Sequence, residues 1–175
     1  MIKCIRQEYE SIFEDGSGKM SVNRLKVNEY LGMTLYYNVH GQVRIMMLSY
    51  IEEIITDFDK AYPKGKVTKS SAAPNNIFVE NEYYKKMDQE KVVEFHDIVA
   101  KNCYATKRPK PDTCTAISFL TRRVWAPGEE DWSKLVHLMQ YLRGTSKLSL
   151  TLIANVSGIL KCWFDALFAV HTNIQ

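Results

Sequence analysis

The sequence predicts an α+β fold: an N-terminal helix and β-hairpin, a linker, a three-helix bundle and a C-terminal β-hairpin. Three observations carry that prediction. Apolar residues alternate along residues 42–48, the period of a half-buried strand, and recur at helical spacing along residues 132–142. Turn-forming clusters separate the segments, at Asp15-Gly16-Ser17-Gly18, Asn38-Val39-His40-Gly41, Pro127-Gly128 and Asn155-Val156-Ser157-Gly158. The 175 residues are 46% hydrophobic and 25% charged, a balance that supports a packed core and argues against disorder.

In the N-terminal half, Ile5, Tyr9, Ile12 and Phe13 share one helical face, and Asp15-Gly16-Ser17-Gly18 stops the helix. Residues 27–37 and 42–48 read as two strands joined at Asn38-Val39-His40-Gly41, with Val43, Ile45 and Met47 on one face. Ser49-Tyr50-Ile51-Glu52 has the capping-box form, so a helix is expected from there with Ile51, Ile54, Ile55 and Phe58 inward. Residues 64–76 are rich in Lys, Ser and Gly, with Pro63 and Pro74 beside them, and read as a mobile linker.

The C-terminal half is more helical. Val92, His96, Val99 and Cys103 form one stripe, which makes His96 a packed core residue with no chemistry. Pro111-Asp112 restarts a helix bearing Ala116, Ile117, Leu120 and Val124. After Pro127-Gly128, Trp132, Leu135, Val136, Met139 and Leu142 make the cleanest amphipathic stripe, and Gly144 suits its C′ position. Breaks this short predict a three-helix bundle. Residues 148–154 and 159–164 then read as paired strands, so the chain stops while a sheet is being built.

Lys and Arg number 23 against 20 Asp and Glu, a formal charge of +3, which is weak support for a polyanion partner. None of the four cysteines forms a Cys-x-x-Cys pair or has a His at zinc-ligand spacing, so free thiols are expected rather than disulfides. The N-terminus lacks a signal-peptide core, and no apolar run approaches the ~20 residues of a membrane span. The expected setting is intracellular, cytoplasmic or nuclear, with no membrane partner.

Pro111-Asp112, Pro127, Glu129-Glu130, Trp132 and Tyr141-Leu142-Arg143-Gly144-Thr145 follow one another in an order and spacing that resemble copia-type LTR retrotransposon polyproteins. Each element alone says only that two capped helices are present. Glu29-Tyr30-Leu31-Gly32-Met33, with Val43, Ile45, Met47 and Tyr50 after it, resembles that family's hairpin beyond the polymerase palm. Phe95-His96-Asp97-Ile98-Val99-Ala100-Lys101 resembles its Phe-His-x-x-Val-Ala-Lys helix. Lys161-Cys162-Trp163-Phe164-Asp165-Ala166, with Phe168 to His171 behind it, resembles the first strand of its RNase H domain. The likeness runs over residues 5–171, from the C-terminal part of reverse transcriptase into the start of RNase H.

The resemblance implies four segments: a palm-distal remnant with a primer-grip-like hairpin (1–62), a linker (63–87), a helical thumb or connection region (88–146) and a truncated start of an RNase H-like domain (147–175). It implies that Asp165 descends from a catalytic carboxylate holding Mg²⁺. That chemistry needs several carboxylates around two metals, so the isolated chain is expected to be no enzyme and to hold no cofactor of its own, Mg²⁺ belonging to the parent. Tyr30, Leu31, Gly32 and Met33 would contact the primer–template duplex; a plainer reading makes Gly32 a strand bulge. Lys107, Arg108 and Lys110, in the basic run 101–110, and the run 60–69 either face a phosphate backbone or are simply solvated. A different class stays open: a retained, non-catalytic module binding nucleic acid or protein.

The chain departs from the family's pattern at Asn102, Cys103 and Ala105, where leucines are usual, at Asp131, which replaces a His, and at Met46, which replaces a polar residue. Buried without a partner, Asn102 would cost on the order of a few kcal/mol. Such departures suggest a decaying copy, and a divergent lineage would show them too.

Overall fold

The strand run at residues 27–37 is cut in two at Leu31-Gly32, and that cut starts the sheet. Both residues have positive φ, 50° and 72°, so they form the two central positions of a tight turn of the I′ kind. Gly32 is therefore a turn residue and not a bulge. A computed structural model describes residues 2–10, 12, 22, 24–38, 41–62, 66–80 and 85–153. Within them, α1 (Ile2–Glu10) precedes β1 (Val27–Tyr30), β2 (Met33–Tyr37), β3 (Gln42–Met46) and α2 (Leu48–Ala61). Then come α3 (Gln89–Thr106), a 3-10 turn (Pro111–Thr113), α4 (Cys114–Arg123), α5 (Glu129–Thr145) and β4 (Leu150–Ile153).

The fold is α+β. The four strands form one antiparallel sheet in sequence order, with Tyr30 opposite Met33, Tyr36 opposite Arg44, and Arg44 opposite Thr151. The expected turn after β2 is closed by the Asn38 amide donating to the Gln42 carbonyl at 3.0 Å. β4 pairs with β3. Its expected partner, residues 159–164, and Asp165 lie outside the described residues.

Helices α3, α4 and α5 pack together, and α2 joins them through Ile54 and Phe58. Leu120, Leu135, Leu138, Met139 and Leu142 are fully buried, so the α5 stripe is as its spacing predicts, with Trp132 and Val136 on its rim. Burying four large side chains of this stripe contributes on the order of 6–12 kcal/mol before entropy is subtracted.

Several local expectations are corrected. The capping box at Ser49 does not form: α2 begins at Leu48 after Met47, which caps without a side-chain bond. Along α3 the inward face runs through Phe95, Ile98, Val99, Asn102 and Ala105. The helix is turned from the predicted stripe, because burying the Phe95 ring gains more than burying an imidazole, and His96 stands in solvent. Residues 66–80 are laid along α5 rather than spanning open solvent. Ala72 and Ile77 enter the core, and the Thr68 amide donates to the Gln140 carbonyl at 3.2 Å. Gly144 lies inside α5 rather than at C′. A Cβ there would collide with the Thr68 carbonyl oxygen, so glycine serves close backbone approach.

Asn102 and Asp131 are buried and both are partnered. Asn102 is 2% exposed, but its Nδ2 donates to the Ile98 carbonyl at 2.8 Å and reaches the Met139 sulfur at 3.6 Å. Asp131 accepts from the Gly128 amide at 2.9 Å, closing the first turn of α5, and pairs with Arg123 at 3.1 Å. Neither polar side chain carries the penalty of an orphan.

Candidate functional site

The β1–β2 turn projects outward, with Tyr30 60% and Leu31 54% exposed. Beneath it sits Met47, whose terminal methyl would lie 3.7 Å from a Cβ placed at Gly32. From the other side comes Tyr104, near the end of α3, whose hydroxyl donates to the Leu31 carbonyl at 2.9 Å. The Tyr104 ring packs against Tyr50 at 5.2 Å between centroids, and the Arg108 guanidinium lies over it at 3.4 Å. Arg108 also donates to the Tyr104 carbonyl at 2.9 Å. Its cation is thus set in place by a ring that is itself tied to the turn. Lys107, the residue after α3, is exposed beside it.

Two groups that are far apart in sequence, residues 30–33 and residues 107–108, are therefore joined through Tyr104. Sequence reasoning missed Tyr104. The available signal was an aromatic and a cation at i and i+4 on one helix.

Lys110 is not part of this surface. It is 1% exposed, and its ammonium donates to the Thr145 carbonyl at 2.5 Å and hydroxyl at 3.2 Å, with Asp112 at 3.9 Å. Burial pulls its pKa down, and Asp112 opposes that shift. Asp112 in turn accepts from the Tyr141 hydroxyl at 2.6 Å. Burial, followed by that bond to a carboxylate, pushes the Tyr141 phenol up to about 12. This is a structural polar network that closes the end of α5.

The rest of the basic run is also divided. Lys101 is bonded to Asp57 at 2.5 Å, which lowers the Asp57 pKa and raises that of Lys101. Lys60 takes the other Asp57 oxygen at 2.9 Å. Around the hairpin tip the described side chains include the Arg108 guanidinium, the Lys107 ammonium, exposed Tyr30 and Leu31, and the Glu29 carboxylate, which accepts from the Thr34 hydroxyl at 2.9 Å. The two cations can hold an anion.

Among the described residues no group of three or more His, Cys, Asp or Glu is placed to hold a metal ion. No helix among them is long and apolar enough to cross a membrane. No protein-family model, no curated protein and no solved structure matches this chain.

Proposed function

We propose that this chain is the non-catalytic stretch of a copia-type retrotransposon polyprotein lying between its polymerase and RNase H centres, and that it contacts the backbone of a primer–template duplex. The ordered motifs from Pro111 to Thr145 support the family. The observation that carries the contact is the Tyr104 hydroxyl on the Leu31 carbonyl, which holds the exposed turn next to Arg108 and Lys107. A phosphate backbone crossing that corner meets two cations and, at the turn, apolar side chains suited to sugar edges. Backbone contacts of this kind position a duplex without reading its sequence. The setting is the cytoplasm or nucleus. Mg²⁺ belongs to the parent enzyme's chemistry, and this chain hydrolyses nothing alone.

Fluorescence anisotropy on an RNA–DNA hybrid at graded salt tests the reading. Each cation removed, by Lys107→Ala or Arg108→Ala, is expected to flatten the log–log salt dependence by about one. Binding that ignores salt, or no binding, overturns it. Hybrid cleavage with Mg²⁺ that disappears in Asp165→Ala overturns the non-catalytic part.

A further inference from the structure

Trp125 is 92% exposed, the most exposed large apolar side chain among the described residues. It stands in the connection between α4 and α5, on the rim of a groove of about 410 Å³. The opposite wall is the outer face of α3, with Val93 53% exposed and His96 beside it; Lys86 and Gln89 close one end. An indole held almost wholly in water forgoes the hydrophobic gain that a ring of its size obtains in a core, and no packing contact of the bundle depends on it.

The chemistry of the lining narrows the ligand. Lys86 brings a positive charge that favours an anion, and no carboxylate is among the described lining residues. Gln89 offers both a donor and an acceptor, so it can meet the edge of any base. A flat aromatic face, an amide and a cation together match a nucleotide: stacking for the base, a hydrogen-bonded edge and a partner for the phosphate. An apolar peptide would leave Lys86 and Gln89 without a role.

Position supports the same ligand. Val93, His96 and Ala100 fall on one exposed line of α3, and exposed Lys107, just past its end, follows them toward the corner beside the β1–β2 turn. From His96 to Lys107 the helix rises on the order of 16 Å. That distance corresponds to roughly five stacked nucleotides at about 3.4 Å each.

We infer that the Trp125 groove receives an unpaired nucleobase of a single strand that runs off the duplex held at the turn. The inference rests on the duplex reading for the strand's path, and on the groove alone for the base. Stacking on Trp125 makes it tolerant of base identity, and Lys86 takes the neighbouring phosphate.

The test uses the full chain and three labelled probes: a blunt RNA–DNA hybrid, the same hybrid with an oligo-dT overhang, and oligo-dT alone. The overhang is expected to tighten binding about tenfold. Trp125→Ala should abolish that advantage and leave the blunt hybrid unchanged, whereas Trp125→Phe should keep most of it. Trp125 is a solvent-facing residue, and an unchanged circular-dichroism melt verifies that the variants fold. An overhang advantage equal in wild type and Trp125→Ala, or none in wild type, overturns the inference. If the blunt hybrid fails to bind but oligo-dT binds in a Trp125-dependent way, the duplex reading falls and this one stands. Sedimentation showing a dimer that Trp125→Ala splits gives the groove to a second copy and also overturns it.

Discussion

The Tyr104 hydroxyl donates to the Leu31 carbonyl at 2.9 Å, joining the first turn of the sheet to the end of α3 across 73 positions of sequence. Tyr104→Phe keeps the ring on Tyr50 and Arg108 and removes that one bond. The expected global cost is about 1 kcal/mol. The local effect should be larger, with faster amide exchange at Gly32 and Met33 and none at Leu138. Unchanged exchange at the turn would show that Met47 and the strand pairing hold it without Tyr104.

Leu31 carries a φ of 50° in a position that suits Asn or Gly, and over half of its side chain is in water. Left-handed backbone costs a branched residue on the order of 1–2 kcal/mol. Leu31→Asn should therefore raise the urea midpoint by a stability gain of about 1 kcal/mol, without changing the slope of the transition. A loss of stability would mean that the Leu31 side chain makes contacts worth more than its strain.

Lys110 and Lys107 lie three residues apart and should behave oppositely. Lys110→Ala deletes the donor to the Thr145 carbonyl in a buried place, so a loss of about 2 kcal/mol or more is expected. Its salt dependence of hybrid binding should match wild type, measured where the variant is still folded. Lys107→Ala should leave the melt unchanged and flatten the salt dependence. An exchange of these phenotypes would contradict the burial of Lys110.

Tyr141 titrates at about 12 in the fold against an ordinary value near 10, so the folded state holds its proton more tightly. Its contribution is complete below pH 10 and is lost as pH rises from 10 through 12. Lys110, lowered by burial, has the opposite sign: stability rises with pH as its ordinary value is approached from below. Comparing urea midpoints of wild type and Tyr141→Phe isolates the first effect. The wild-type decline between pH 10 and 12 should be steeper than that of the variant; parallel curves would remove Tyr141 from the account.

Gly144→Ala tests the packing of residues 66–69 on α5. Helix propensity alone favours Ala by roughly 1 kcal/mol. The added Cβ meets the Thr68 backbone and the Val67 side chain, and backbone cannot step aside as a flexible side chain can. A net loss of about 2 kcal/mol is expected, with faster exchange at the Thr68 amide. A more stable variant would mean that this segment lifts off α5 at little cost.

Much of the candidate site was legible in part. Residues 30–33 stand out only through the family resemblance, since a glycine inside a strand pattern by itself suggests a bulge, and Lys107 and Arg108 stand out through the basic run. Nothing local distinguished Lys110 from them, because burial is decided by what the next helix brings over it. His96 faces solvent, against its spacing, for a related reason. Its spacing fits a stripe shared with Val99, and only the competition for core space between the Phe95 ring and an imidazole sets the rotation of α3. The groove at Trp125 left no local trace, since its two walls come from α3 and from the connection after α4.

By itself the sequence determined the α+β class, the order of the helices from α2 to α5 and the inward face of α5. Those follow from periods of two and 3.6 residues and from turn chemistry, which act within a few positions of chain. Tertiary structure alone decided that Tyr104 would hold the Leu31 turn beside Arg108, that Asn102 would find its partners inside the core, and that Lys110 would leave the surface. Each depends on which faces meet across tens of residues, where packing and the cost of an orphaned polar group, rather than local propensity, choose the outcome.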